Sequence, residues 1–313
     1  MKRTFALLLC LLLLAGCSPM ETQEQVNIVA TTYPAYLAAL AVTDGFTDVS
    51  VTRLDTGSVS CLHDYTLTVN DMKKLSRADV IVTNGAGMED FMADALVSSA
   101  ATIIDCSEGI PLLPATGHHD HEHHEHEHNE HFDGHYWMDP DNMIVAINNV
   151  HAGLLPLTGE DVSTRMASNA RQAAQWLSIC KQACRGELER LSPDAALITF
   201  HDGFAYFSAA FDLPLLASIE EEAGSEASAK EIIHITELVR AHNLPAIFTE
   251  VNGSDATAQA IHRETGCAVY PLSTIMDGRE PSSGDESPIM PYIEAINANI
   301  ATIVGAFSPK EVE

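Results

Sequence analysis

The sequence predicts an α/β protein with two βα lobes, each built on a parallel sheet, joined by a long rigid helix. Three observations support this prediction. Short apolar strands alternate with helical segments early in the chain, a helical pattern without proline runs from residue 163 to residue 191, and a second strand–helix series follows. Alternating strands and helices indicate βα units and parallel strand pairing.

The N-terminal series contains four predicted strands with helices between them. The strands are expected at 27–32, 49–54, 79–84 and 102–105, and the helices at 35–42, from Asn70 onward and at 88–98. Gly85-Ala86-Gly87 ends the third strand, as glycine-containing turns commonly do.

Residues 163–191 are predicted to form the connecting helix, because apolar side chains recur along them at helical spacing. The C-terminal series then places strands at 195–200, 213–218, 246–250 and 268–272, and helices at 205–211, 229–242, 256–264 and 291–307. We therefore divide the chain into an N-terminal lobe at 17–160, a linking helix at 161–191 and a C-terminal lobe at 192–313. Open α/β sheets bind ligands at the carboxyl ends of their strands, which predicts a ligand cleft between the lobes.

Residues 1–16 have the features of a lipoprotein signal peptide. A short basic start is followed by an apolar run from Phe5 to Leu14, and Leu14-Ala15-Gly16-Cys17 resembles a bacterial lipobox. The apolar run is shorter than the roughly 20 residues that a spanning helix needs. We expect cleavage before Cys17, lipid attachment to its sulfur and an extracytoplasmic protein anchored to the bacterial cell membrane.

Composition excludes two classes of site. The chain has 16 Lys and Arg against 44 Asp and Glu, a formal net charge of −28. Nucleic-acid binding depends on basic side chains that neutralise phosphates, so we expect no nucleic-acid partner. The seven cysteines lack the Cys-x-x-Cys spacing of zinc ribbons, which argues against a cysteine metal site.

Three histidines stand where strands end or segments begin. His63 follows the turn after the second strand, His135 opens the segment after a polar stretch, and His201 directly follows the strand at 195–200. Neutral imidazole is the commonest transition-metal ligand, and three nitrogens with one further donor suit tetrahedral Zn²⁺. The three positions predict a metal site in the cleft, the alternative being that each is an ordinary half-buried histidine.

Residues 117–134 are almost wholly His, Asp, Glu and Asn. Such a segment cannot bury a core and is predicted to be a loop. We interpret it as an accessory metal collector and not the primary site, because a flexible loop loses conformational entropy when it orders around an ion. The alternative is a solvated polar spacer. Its histidines are His118, His119, His121, His123, His124, His126, His128 and His131.

Several motifs are weak singly and specific in combination. They are Gly57-Ser58-Val59-Ser60-Cys61-Leu62-His63-Asp64-Tyr65, Asn84-Gly85-Ala86-Gly87-Met88-Glu89, His135-Tyr136-Trp137-Met138-Asp139-Pro140 and His201-Asp202-Gly203-Phe204-Ala205-Tyr206-Phe207. Over nearly the whole mature chain, the sequence resembles the solute-binding lipoproteins of zinc and manganese ABC transporters. Zinc members of that family often carry a His-rich loop between the same motifs.

This resemblance implies that His63, His135 and His201 are the metal ligands. Manganese members tend to place a carboxylate where His201 stands, and nitrogen favours zinc, so Zn(II) is the expected transported ligand. The resemblance further implies delivery of the ion to an ABC transporter permease in the cytoplasmic membrane, and we expect a monomer. Candidates to fix the imidazole tautomers by hydrogen bonding are Asp64, Asp139 and Glu250.

The fourth ligand is where the chain departs from the family pattern. The family often has an Asp at the end of the last strand, where this chain has Tyr270 or Ser273, and Leu62 replaces the Pro that usually precedes the first histidine. Asp277, in the following loop, is the candidate fourth ligand. Glu222, a water molecule and a histidine of the His-rich segment are alternatives.

Other functions stay open from the sequence. They are a manganese-binding member, a surface adhesin or metal buffer, and, less favoured, a zinc-dependent hydrolase, since an open three-histidine site also holds catalytic zinc. Glu250 or Glu222 could then serve as the general base. No predicted helix carries a His-Glu-x-x-His motif, and the chain has no Gly-x-Ser-x-Gly motif, so we expect no enzyme.

Overall fold

Two four-stranded parallel sheets form the framework of the protein. The computed structural model describes residues 25–56, 62, 65–115, 132–219, 227–282 and 286–308. The strands are β1 (Val26–Ala30), β2 (Val49–Arg53), β3 (Val80–Thr83), β4 (Thr102–Asp105), β5 (Leu197–Thr199), β6 (Leu215–Ser218), β7 (Ala246–Glu250) and β8 (Ala268–Leu272). The first sheet has the order β2-β1-β3-β4 and the second the order β6-β5-β7-β8. The prediction of two βα lobes with parallel sheets is therefore confirmed.

Helices surround both sheets. They are α1 (Tyr33–Thr43), α2 (Val69–Leu75), α3 (Ala93–Val97), α4 (Pro140–Leu154), α5 (Glu160–Leu188), α6 (Ala205–Ala210), α7 (Ala229–Ala241), α8 (Ala256–Thr265) and α9 (Met290–Phe307). Every residue of β3 and β7 is buried, as expected for central strands that helices cover on both faces. Within the described residues, no helix is long and apolar enough to cross a bilayer.

The linking helix α5 contacts both lobes along one buried face. Its 29 residues span about 43 Å at the 1.5 Å rise of an α-helix. Near its start, Asn169 Nδ2 donates to the Val42 carbonyl at 3.0 Å, and near its end Arg185 Nε donates to the Ala210 carbonyl at 3.1 Å. The buried face consists of Met166, Ala170, Ala173, Leu177, Cys180, Cys184 and Leu188. Compared with the predicted linking helix at 161–191, the observed helix begins one residue earlier and ends three residues earlier.

The predicted helix at 88–98 is wrong in its first half. A 3₁₀ turn occupies Asp90–Met92, and the α-helix starts only at Ala93. The preceding turn explains the delay, because Gly85, Ala86 and Gly87 all have positive φ angles (79°, 54° and 83°). The chain needs these residues and the two that follow to reverse direction after β3.

The Glu89 carboxylate holds that turn together. Its Oε1 accepts from the Thr31 hydroxyl at 2.5 Å and from the Asn84 amide at 2.7 Å, and its Oε2 accepts from the Gly85 amide at 3.0 Å. Burial raises the pKa of Glu89 to about 7. All three partners donate hydrogen bonds to Glu89. Position 89 therefore requires a side chain whose two terminal atoms both accept hydrogen bonds.

We predict that Glu89→Gln lowers the free energy of unfolding by about 1–3 kcal/mol, because the glutamine NH₂ would face backbone donors and leave a buried amide unsatisfied. Chemical denaturation measures the change. Asp90→Asn is the matched control, since Asp90 is the exposed neighbour. Equal stability of the two variants would contradict the structural role assigned to Glu89.

Candidate metal centre

His201 lies at the crevice of the C-terminal sheet. In the order β6-β5-β7-β8, the chain leaves β5 toward one edge and later returns to its other side as β7. Ligands of open α/β sheets bind outside the carboxyl ends of the strands at such a switch point. His201 follows β5 by two residues, and Glu250 is the last residue of β7. The sheet topology thus places both side chains at one site.

His135 reaches the same site from the segment before α4. Its backbone amide and its Nδ1 both lie 2.8 Å from Asp133 Oδ1. A carboxylate accepts, so Nδ1 is assigned as the protonated nitrogen and Nε2 is left for a ligand. The 3₁₀ turn Tyr136–Met138 begins immediately after His135.

The two imidazoles meet at the spacing that a shared metal ion requires. His135 Nε2 and His201 Nε2 are 3.2 Å apart, the rings are perpendicular, and both residues are buried, at 6% and 5% exposure. Two nitrogens bound to tetrahedral Zn²⁺ at about 2.0–2.1 Å lie about 3.3 Å from each other. The geometry of the pair therefore fits a divalent ion with little movement.

Gly203 permits this close approach. A Cβ at this position would lie 2.8 Å from His201 Cδ2, 2.9 Å from His201 Nε2 and 2.9 Å from His135 Cδ2. Any larger residue would have to displace both rings. The glycine is thus part of the site although it offers no ligand atom.

Two carboxylates accompany the imidazoles. Asp202 forms a group with His135 and His201 in which one ligand atom from each lies within 4.8 Å of the others. Glu250 Oε2 lies 4.0 Å from His201 Nδ1, and Glu250 Oε1 accepts from the Thr274 hydroxyl at 2.5 Å. Burial raises the pKa of Glu250. Both nitrogen and carboxylate donors are therefore available to a bound cation.

The imidazoles have opposite pKa shifts. Burial, followed by the charge of His135, lowers the pKa of His201 to about 3. Burial also acts to lower the pKa of His135, but the hydrogen bond and charge of Asp133 outweigh it, and the net shift is upward. Two buried rings 3.2 Å apart do not both take up the second proton that makes an imidazole positively charged, so His201 is the neutral partner.

Several predicted site residues lie outside the described residues. They are His63, Asp64, Glu222, the lipidation residue Cys17, and the accessory loop histidines His118, His119, His121, His123, His124, His126, His128 and His131. Asp277 is described, and its Oδ1 forms an ion pair with Arg53 Nη2 at 2.9 Å. Asp139 caps α4 and forms an ion pair with Lys181 at 2.6 Å. Of the two described candidates for orienting the imidazoles, Asp139 and Glu250, the structure places Glu250 beside a histidine, 4.0 Å from His201 Nδ1.

Three residues of the site were missed from the sequence. Asp133 falls within the predicted His-rich segment, although its place two residues before His135 is a common position for a carboxylate that accepts from the backbone amide two residues on. Asp202 directly follows a candidate ligand, and Gly203 follows Asp202. Nothing in their spacing indicated how close the two histidine rings come.

Two lobes joined by one long helix, with paired buried imidazoles and neighbouring carboxylates at the cleft, define a metal-binding solute-binding protein. The family model described as "Zinc-uptake complex component A periplasmic" matches residues 28–306. The chain belongs to this family. Its members are solute-binding proteins and not enzymes, which excludes the hydrolase.

Relatives in this family carry different metals in their names. "Iron-binding protein YfeA" of Yersinia pestis is 24% identical over 314 residues, covering 97% of this chain and 93% of YfeA. "Zinc-binding lipoprotein AdcA" of Streptococcus pneumoniae is 25% identical over 318 residues, covering 97% of this chain but only 60% of AdcA. A crystal structure of ZnuA matches with a TM-score of 0.76 at 23% identity, covering 91% of this chain and 100% of that chain, and it supports the fold.

We predict that Gly203→Ala weakens zinc binding by at least about tenfold and destabilises the metal-free protein by about 1–3 kcal/mol, because the added methyl group overpacks the two rings. Calorimetric titration and thermal unfolding measure the two effects. Gly159→Ala is the control, since a Cβ at Gly159 meets nothing within 4 Å. Unchanged affinity in Gly203→Ala would show that the rings do not need this spacing.

A second prediction concerns pH. The raised pKa of His135 means that the metal-free site holds a proton at higher pH than an ordinary histidine does. Zinc must displace this proton, so affinity should fall by about tenfold per pH unit below the pKa of His135. His201, with a pKa of about 3, adds no competition near neutral pH. Calorimetric titration with zinc between pH 8 and 5.5, in two buffers of different ionisation enthalpy, measures affinity and proton release together. An affinity that does not change with pH would contradict the assignment of the displaced proton to His135.

Proposed function

We propose that this protein captures Zn(II) outside the cytoplasm and delivers it to an ABC-type uptake permease. The observation that carries the proposal is the buried pair of Nε2 atoms, 3.2 Å apart, at the lobe boundary. His135, His201 and His63 would be the nitrogen ligands. The family description, a periplasmic component of a zinc-uptake complex, supports both the cargo and the permease as partner.

Asp202 is the carboxylate that we favour as fourth ligand. One of its oxygens lies within 4.8 Å of ligand atoms of both imidazoles, a group that does not include Asp277, which forms an ion pair with Arg53 at 2.9 Å. A carboxylate oxygen completes a tetrahedral zinc site with three nitrogens. Asp277 stays the alternative, because one of its oxygens could turn toward the cleft if the ion pair opened.

The remaining parts of the proposal concern location. Attachment of lipid to Cys17 would hold the protein at the outer face of the cytoplasmic membrane, and the name of AdcA as a lipoprotein supports this. The His-rich segment would raise the local metal concentration near the cleft without forming the primary site. We propose a monomer, because one chain supplies both lobes of the site.

The first prediction separates the cleft from the His-rich segment. In the mature chain, one tight zinc site should survive deletion of residues 117–131 and should weaken by at least about 100-fold in His135→Ala, since loss of a ligand exceeds the 10–100-fold effect of residues that only orient one. The deletion stops before Asp133 so that His135 keeps its partner. His234→Ala, on an exposed helix face, is the control in calorimetric titrations. Loss of tight binding on deletion alone would make the His-rich segment the receptor.

The second prediction identifies the fourth ligand. Asp202→Asn should weaken equilibrium zinc binding by at least about 100-fold, beyond the range of a residue that only orients a ligand, whereas Asp277→Asn should change it by less than about threefold. Competition with a chromophoric chelator measures both affinities under the same conditions. The opposite ranking of the two variants would assign the fourth ligand to Asp277.

A further inference from the structure

A cluster of contacts joins the lobes beside the metal centre. It consists of Tyr33, Tyr36 and Arg53 from the N-terminal lobe and residues 277–280 from the loop after β8, and we call it the Arg53 latch. Arg53 Nη2 lies 2.9 Å from Asp277 Oδ1 and 3.6 Å from Glu280 Oε1. Around this ion-pair group, the Tyr33 hydroxyl donates to the Arg279 carbonyl at 2.5 Å, and the Tyr36 hydroxyl donates to Glu280 Oε2 at 2.8 Å.

The Arg53 guanidinium lies over the rings of Tyr33 and Tyr36. Its guanidinium carbon is 4.7 Å from the Tyr33 ring centroid and 5.9 Å from that of Tyr36. The Arg53 side chain is 21% exposed, whereas those of its partners Asp277 and Glu280 are 45% and 61% exposed, so water reaches the ion pairs from the acidic side. Arginine combines ring stacking with a fork of donors, which lysine cannot do.

Each half of the latch is fixed to its own lobe. Lys74 Nζ donates to the Arg53 carbonyl at 2.6 Å and to Asp55 at 3.0 Å, which anchors the end of β2. On the other side, the Arg279 side chain binds Glu286 at 2.5 Å and Glu294 at 2.7 Å. The latch contacts therefore connect the end of β2 with a loop that Arg279 ties to Glu294 of α9.

Gly278 marks how closely the halves approach. A Cβ on Gly278 would lie 2.7 Å from both Cε1 and Oη of Tyr33. Only glycine lets the loop lie directly on the tyrosine ring. A methyl group here would separate the lobes at this point without removing any charge.

The latch is continuous with the metal centre through a short stretch of chain. Asp277 follows Thr274 by three residues, and the Thr274 hydroxyl donates to Glu250, the carboxylate beside His201. Arg53 lies ten residues before His63. Because His135 and His201 are buried among the described residues, we expect the segments around them to separate when an ion enters or leaves.

We propose that Arg53 is a positioning residue that fastens the two lobes at the edge of the metal cleft and sets the rate at which the cargo ion is exchanged. This inference rests on the proposed function. Opening the latch allows both entry and exit, so its loss raises both rates and leaves the equilibrium affinity nearly unchanged. A residue that only supported the fold would instead lower affinity or stability.

The test measures zinc transfer to an excess of chromophoric chelator by stopped flow, together with equilibrium affinity. Arg53→Gln should release zinc about tenfold faster, as expected from the loss of one stacked and ion-paired cation, with affinity changed by less than about threefold. Gly278→Ala should act in the same direction without a change of charge, and Arg53→Lys should lie between Arg53→Gln and the unsubstituted protein. Arg185→Gln is the matched control, since Arg185 forms an ion pair with Asp212 at 2.7 Å away from the latch.

A metal-free readout keeps the latch separate from the proposed function. Amide hydrogen exchange at residues 278–280 should accelerate in Arg53→Gln and Gly278→Ala but not in Arg185→Gln. If the unsubstituted protein bound no zinc tightly, the proposed function would fail while this exchange still reported on the latch. Unchanged exchange, or release rates that match those of Arg185→Gln, would overturn the latch itself.

Discussion

The metal centre depends on three consecutive residues that are fastened to both lobes. His135 points into the cleft, the Tyr136 hydroxyl donates to the Asn84 carbonyl of the N-terminal lobe at 2.7 Å, and the Trp137 indole donates to the Thr274 carbonyl of the C-terminal lobe at 2.8 Å. The Trp137 carbonyl in turn accepts from the Tyr292 hydroxyl at 2.6 Å. A ligand held between two such attachments cannot move with either lobe alone. The short distance to His201 is thus a property of how the lobes are joined and not of one loop.

The lobes are held by attachments of two different kinds. One face of α5 and the side chain of Trp137 are buried in apolar packing, and exposing apolar surface to water is unfavourable, so they define a fixed side. The Arg53 latch is polar and partly exposed, with Asp277 45% exposed, and water and salt can replace its ion pairs at small cost. Separation therefore occurs more easily at the latch than along the helix. This asymmetry is what a carrier needs, since it must hold an ion in a buried site and still release it.

The sequence predicts the fold well because the fold is set by local patterns. Hydrophobic periodicity within short stretches of sequence is enough to predict alternating strands and helices and one long amphipathic helix. The helix predicted at 88–98 failed in its first half because Glu89 bonds to backbone groups of residues 84 and 85, a contact that helical periodicity does not encode. The same limit applies to the site. His135 and His201 were found from their places at segment ends, but their spacing, the room left by Gly203 and the engagement of Asp277 by Arg53 depend on how distant segments pack.

The choice of metal cannot come from the fold, because relatives that share it are named for iron and for zinc. It has to come from the donors and from the room around them. Imidazole nitrogens favour zinc over manganese in the divalent series. Manganese also suits octahedral, oxygen-rich sites. In the described part of this centre, by contrast, both histidines are buried, at most 6% exposed, and Gly203 lies against their rings. A buried pair of nitrogens, to which the proposal adds His63 and Asp202 as the two further ligands, suits a four-coordinate ion, which is the physical basis for proposing zinc as the cargo.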